Sequence, residues 1–232
     1  MKATIESRYK LVICQQPIHA RSAGFGNRDR RLIDPPPLLQ LYELQGQDYV
    51  KVTSMHTDVA TMVVHCDLYD AVTDEPRHLI TLSPQQEASD EAGSSTSLTP
   101  TLPATVRTII GTMVSNAHEL ENLQGERGIY FVFGDLSIRN EGHFRLKFQL
   151  VSLFEASIHD VIFSESFRVY RARQFPGALG STHLSRHFAQ QGVKLSIRAK
   201  EKPKDKEDDD RSPPQKQDTS SSMAISSLIH PN

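Results

Sequence analysis

Between His143 and Leu150 the chain alternates without a break: Phe144, Leu146, Phe148 and Leu150 are apolar, while Arg145, Lys147 and Gln149 are polar. Side chains of an extended backbone point to opposite faces with a period of two, so this run reads as a strand with one face buried and one in water. Met62 to Leu68 repeats the pattern, with Met62, Val64, Cys66 and Leu68 set against Val63, His65 and Asp67. Tyr9 to Gln15 and Leu38 to Leu44 add strand-like apolar segments, and Ile129 to Phe133 is a continuous apolar run of the kind an interior strand carries. Val161 to Tyr170, Val193 to Ile197 and, less regularly, Thr105 to Val114 complete the set. About seven to nine short strands with turn residues between them predict an all-β fold, an antiparallel β-sandwich.

One segment reads as a helix. Ser181 and Thr182 can cap it, Leu184 and Phe188 form an i, i+4 apolar pair, and Gly192 stops it. Two stretches lack the apolar residues a core needs. Ser83 to Pro103 is rich in Ser, Thr, Pro and Glu and reads as a flexible insertion; residues 199–232 are charged, Pro-bearing and Ser-rich and read as a disordered tail. The expected domain is therefore 9–198, preceded by a short extension over 1–8. Cys14 and Cys66 each fall in a strand-like stretch and are expected to be reduced core residues. No apolar run approaches about 18 residues and no charged-then-apolar leader opens the chain, so neither a membrane span nor secretion is expected.

The stretch RSAGFGNRDRRLIDPPPLLQL, from Arg21 to Leu41, cannot be helical, because Pro35, Pro36 and Pro37 remove three amide donors and fix φ. It predicts a basic loop delivered into a rigid segment that enters a strand at Leu38. Arg21, Arg28, Arg30 and Arg31 could form a solvated turn with weak local ion pairs, or could bind phosphates and guanine edges. Charge is segregated along the chain. Arg8 to Arg31 holds six basic residues and one acidic, Arg168 to Arg198 six basic and none acidic, and Glu43 to Glu141 fifteen acidic and five basic. A fold that joins the two basic ends would present a positive face suited to a nucleic-acid backbone. The broken basic run from Lys194 to Lys206 reads either as an import signal or as a phosphate-contacting extension.

Catalytic constellations are missing from the sequence. Gly24-Phe25-Gly26 opens like a dinucleotide fingerprint, but Asp29 occupies the third glycine position and prolines follow in place of a helix. His183 and His187 have metal-compatible spacing without a third ligand, and read as surface histidines beside Arg186. No Gly-x-Ser-x-Gly elbow is present. An enzyme is not expected, nor a cofactor, a metal or a small-molecule substrate.

Four blocks closely resemble the velvet family of fungal developmental regulators: GFGNRDRRLIDPPPLLQL at Gly24 to Leu41, GTMVSNAHEL at Gly111 to Leu120, GIYFVFGDLSIRNEGHFRLKFQLV at Gly128 to Val151, and FSESFRVYRARQFPGALGSTHLSRHFAQQGVKLSIR at Phe163 to Arg198. Asp34 in IDPPP and the short chain look more like the VosA-like branch than the VelB-like branch. The resemblance implies an immunoglobulin-like sandwich akin to the Rel homology domain, action in the nucleus with some protein in the cytoplasm, and control of sporulation and secondary metabolism. It implies double-stranded DNA and other velvet proteins, in homo- or heterodimers, as partners. It places DNA contacts on Arg21, Arg28, Arg30 and Arg31, joined by Lys194 and Arg198 from the C-terminal basic segment.

Overall fold

The computed structural model describes residues 7–24, 30–82 and 104–198; Ser83 to Pro103 and the tail from Ala199, read above as flexible and disordered, lie outside the described residues. The chain runs through β1 (Tyr9–Gln15), β2 (His19–Arg21), β3 (Leu38–Gln45), β4 (Asp48–Lys51), a single helical turn α1 (Thr57–Ala60) and β5 (Met62–Asp70). Next come β6 (Leu79–Leu82), β7 (Ala104–Arg107), β8 (Ile109–Ile110), β9 (Val114–Asn116), β10 (His118–Glu121), β11 (Arg127–Val132) and β12 (Ser137–Ile138). β13 (Gly142–Ser152), β14 (Ser157–Phe163), β15 (Phe167–Tyr170), a 3-10 turn (Ala172–Gln174) and α2 (His183–Gln190) follow.

Two sheets carry the sandwich. One has the order β1-β3-β11-β10, with β4 on β3; the other has β2-β15-β13-β5-β9, with β14 also on β13. β13 is the spine of the second sheet: β5 pairs along it from Phe144 to Ser152, while β15 and β14 share its other edge. The inward residues of β5 and β13 are those the alternation selected. Val64, Cys66, Leu68, Leu146, Phe148 and Leu150 form one buried cluster with Leu11, Leu39, Leu41, Ile129 and Phe131 from the first sheet. All-β architecture thus follows from two facing apolar sides, each supplied by a period of two.

β11 is apolar on both faces for a reason the sandwich alone does not supply. Ile129 and Phe131 point into the main core, whereas Tyr130 joins Leu38, Leu120 and Phe188 in a second buried cluster beneath α2. The helix begins as expected: Thr182 Oγ1 accepts from Ser185 N at 3.0 Å, and Gly192 ends it with φ +93°. A helix of eight residues does not persist alone in water, so its apolar face against β11 and β3 holds it.

Three strand expectations need correction. Val161 to Tyr170 is two strands, because Ser164 turns in and bonds β13: its N donates to Leu146 O at 2.8 Å and its Oγ accepts from Leu146 N at 2.9 Å. Thr105 to Val114 divides among β7, β8 and the start of β9. Val193 to Ile197 joins no sheet among the described residues. Both cysteines are free, but Cys14 is exposed on β1, with Sγ donating to Leu38 O at 3.2 Å; only Cys66 is a core residue.

Candidate nucleic-acid interface

The basic loop leaves β2 and returns to β3, and both of its ends are fixed on the same segment, 135–139. On the way out, Ser22 N donates to Tyr170 O and Ala23 N to Ile138 O, each at 2.8 Å, while Arg139 Nη1 donates to Gly24 O at 2.7 Å. On the way back, Leu32 bridges to Ser137 and Ile33 N donates to Leu136 O at 2.8 Å. Arg30 and Arg31 are exposed on this returning limb, and Arg30 lies 3.8 Å from Asp135. Both members of that pair are well exposed, so the contact is weak and can exchange for a phosphate. Arg28 lies outside the described residues.

Asp34 is the hub behind the loop. Its peptide bond to Pro35 is cis, its main chain exchanges hydrogen bonds with His19, and its side chain is only 8% exposed. Oδ2 accepts from Leu179 N at 2.7 Å and from Arg198 Nη1 at 3.0 Å. Burial pushes the pKa of His19 below its ordinary value, opposed in part by the Asp34 carboxylate. Beyond the cis bond, Gln15 Nε2 donates to Pro36 O at 2.7 Å and to Ser185 Oγ at 2.9 Å, and Gln15 Oε1 accepts from the capping hydroxyl of Thr182 at 2.6 Å. One glutamine therefore ties the proline turn to the helix N-terminus.

After α2 the chain continues as an extended strap, residues 193–198, that crosses Gly134. A Cβ at Gly134 would sit 2.8 Å from Leu195 Cδ2 and 2.8 Å from the Lys194 carbonyl oxygen. Glycine is needed here for close approach, not for an unusual backbone angle. Gly134→Ala is expected to lift the strap and cost about 1–3 kcal/mol by overpacking, read as a lower urea midpoint.

The fold brings the predicted arginines together in part. Arg21, Arg31 and Arg198 line one small cavity of about 90 Å³ with Phe175 and Asp34. Arg30 and Lys194 line a neighbouring groove of 620 Å³, and Leu32 borders both. The two basic ends of the sequence thus meet around two cavities that share Leu32. Not all of that charge is available: Arg198 is held by Asp34, and farther along Arg171 is paired with Glu141. Among the described residues Arg21 and Lys194 make no ion pair. Sequence reasoning missed Asp34 as the anchor of Arg198, and Gln15, Arg139 and Phe175 as the parts that fix the loop and its cavity. Their partners are distant in sequence, so no local pattern marks them. His183 is exposed and His187 half-buried, and among the described residues no group of three His, Cys, Asp or Glu side chains is placed to hold a metal.

Fold and site together define an all-β sandwich domain that displays arginines from a pinned loop beside a C-terminal strap. The chain belongs to the velvet family: the model of that family, described as velvet factor, matches residues 9–202. It is 33% identical over 200 residues to the sexual development regulator VELC of Pyricularia oryzae, covering 83% of this chain and 41% of that protein. It is 34% identical over 204 residues to the spore development regulator RYP2 of Ajellomyces capsulatus, covering 82% and 43%. It is 30% identical over 278 residues to velvet complex subunit 2 of Gibberella moniliformis, covering 82% and 61%. The chain spans less than half the length of the first two relatives.

Proposed function

We propose that this protein is a DNA-binding regulator of fungal development that acts in the nucleus, as a homo- or heterodimer with other velvet proteins, on sporulation and secondary metabolism. Family membership and the developmental roles named for the relatives support the regulatory part. One observation carries the DNA-binding part: loop and strap bring Arg21, Arg30, Arg31 and Lys194 to the lining of two cavities that share Leu32. Loop arginines supply sequence-independent phosphate affinity, and those that reach base edges supply specificity. Contacts to about four phosphates give a log-log salt slope of roughly -3.6. In a gel-shift assay on duplexes selected from a random pool, the Arg30→Ala, Arg31→Ala double variant is expected to lose the shift while keeping the wild-type urea midpoint. Unchanged binding by that variant would remove the loop from the reading.

A second reading is a protein-interaction module with little DNA binding of its own. The relative in Gibberella moniliformis, named as part of a velvet complex, favours it. A purified chain that forms a stable heterodimer yet selects no duplex would establish it over the first.

A further inference from the structure

Two edges border the 620 Å³ groove, and among the described residues neither is paired through its backbone on the groove side, although Ser115 Oγ of β9 accepts from Val132 N of β11 at 2.8 Å. The first is β9, which pairs with β5 on one side and is the last strand of its sheet. The second is the strap. Val193 N donates to Phe188 O at 3.2 Å and Arg198 N to Ser181 Oγ at 2.9 Å. Between them the amides of Lys194, Leu195, Ser196 and Ile197 donate no hydrogen bond among the described residues. The strap is nevertheless strand-like: Val193 and Leu195 pack on the cluster under α2, while Lys194 and Ser196 are exposed. Unpaired extended edges are templates for another strand, and strand addition is a recurring way to capture a peptide.

The lining specifies what would fit. Leu32 and Val132 give the groove apolar contact surface, and its volume lies within the range of about 300–1,000 Å³ usual for ligand clefts. Arg30 and Lys194 add two positive charges. Asp135, which also lines the groove, accepts from Thr112 N at 2.9 Å and Thr112 Oγ1 at 3.0 Å and keeps its charge 3.8 Å from Arg30. The lining therefore carries one net positive charge, with Lys194 outside any ion pair among the described residues. Burial lowers the pKa of His118, which also lines the groove and so adds no charge at neutral pH. We propose that the groove between β9 and the strap binds an extended segment of a partner protein in which apolar and acidic residues alternate. The segment pairs with the backbone of Lys194 to Ile197, sets its apolar side chains on Leu32 and Val132, and turns a carboxylate to Arg30 and Lys194. Arg30 and Lys194 also belong to the proposed DNA-binding face, so peptide and duplex compete for them. What the duplex does not use is the strap backbone, because phosphates and bases do not satisfy a row of amides and carbonyls in strand register.

The test is a random peptide display library selected on the immobilised full chain, with the Ser196→Pro variant as counter-selection. The Ser196 amide has no acceptor among the described residues, so proline there removes no existing bond but blocks pairing at that position. Expected are peptides alternating apolar and acidic residues that lose tenfold or more affinity on Ser196→Pro and on Lys194→Glu, with the urea midpoint of each variant unchanged. Bound peptide should slow amide exchange over residues 194–197 of the unaltered protein, a readout that needs no variant to fold. No enrichment, equal binding by Ser196→Pro, unchanged exchange over 194–197, or a loss of duplex DNA instead of peptide affinity would each overturn the proposal.

Discussion

Phe188→Ala is expected to destabilise the region under α2 by about 3–5 kcal/mol, the usual loss for a fully buried phenylalanine. Phe188 is 0% exposed, and its ring meets the edge of Tyr130 with centroids 4.7 Å apart. It is the helix residue buried in the second cluster, where Leu184, Val193 and Leu195 are only partly covered. The other attachments of α2 are polar: the Thr182 cap with its Gln15 link, and Gln191, which donates to Glu121 O at 2.9 Å and accepts from Glu121 N at 2.7 Å. Neither replaces the apolar anchor, since a net hydrogen bond contributes about 1 kcal/mol. Helix and strap should loosen together, because Val193 and Leu195 share the cluster that Phe188 fills. The measurement is amide exchange, with protection in 183–190 falling about 10²- to nearly 10⁴-fold, the same 3–5 kcal/mol at about 1.4 kcal/mol per decade, while β13 keeps more of its protection. Val72→Ala, at a site 85% exposed, is the control and should stay within about 0.5 kcal/mol of the parent. Undiminished protection of α2 in Phe188→Ala would show that the polar attachments hold the helix.

What could be read from the chain divides along the line between local and distant interactions. β13 and β5 were legible because their period of two is a property of consecutive residues, and each inward position in that pattern is buried. α2 was legible for the same reason, since cap, apolar pair and stopping glycine lie within a dozen residues. The strap shows where this reasoning fails. Val193, Leu195 and Ile197 carry the alternation of a strand, yet a strand also needs a neighbour to accept its amides, and no such neighbour is adjacent in the described residues. Ser164 is the converse case, where a single hydroxyl bonded to Leu146 breaks an otherwise continuous apolar run. At the site, the arginines were visible as residue types next to prolines that exclude helix. Their restraints were not: Asp34 and Arg198 are 164 residues apart, and Arg139 and Gly24 are 115 apart. A sequence displays which groups are available; only the fold decides which are already paired.

That pairing leads to the second large effect, in which stability and binding should move in opposite directions. Asp34→Ala removes the acceptor shared by Leu179 N and Arg198 Nη1. Breaking a fully buried ion pair costs about 3–5 kcal/mol. Here the carboxylate is 8% exposed but Arg198 is 40% exposed, so water can take over part of the guanidinium, and a loss of about 1–3 kcal/mol is expected. Denaturation of Asp34→Ala and Asp34→Asn separates charge from shape: asparagine keeps an oxygen for Leu179 N but not the ion pair, so it should lie between alanine and the parent. On the binding side, the substitution takes one negative charge out of the cavity lined by Arg21, Arg31 and Arg198, and frees Arg198 to meet a phosphate. Each added phosphate contact steepens the log-log salt slope by about 0.9. Asp34→Asn is therefore expected to bind duplex DNA more tightly at low salt than the parent, with a steeper salt dependence, although it is the less stable protein. Removing Arg198 as well, in Asp34→Asn, Arg198→Ala, should return the slope to the parental value. A slope unchanged in Asp34→Asn would mean that Arg198 serves only to hold the loop, and that the DNA-binding face ends at Arg21, Arg30, Arg31 and Lys194.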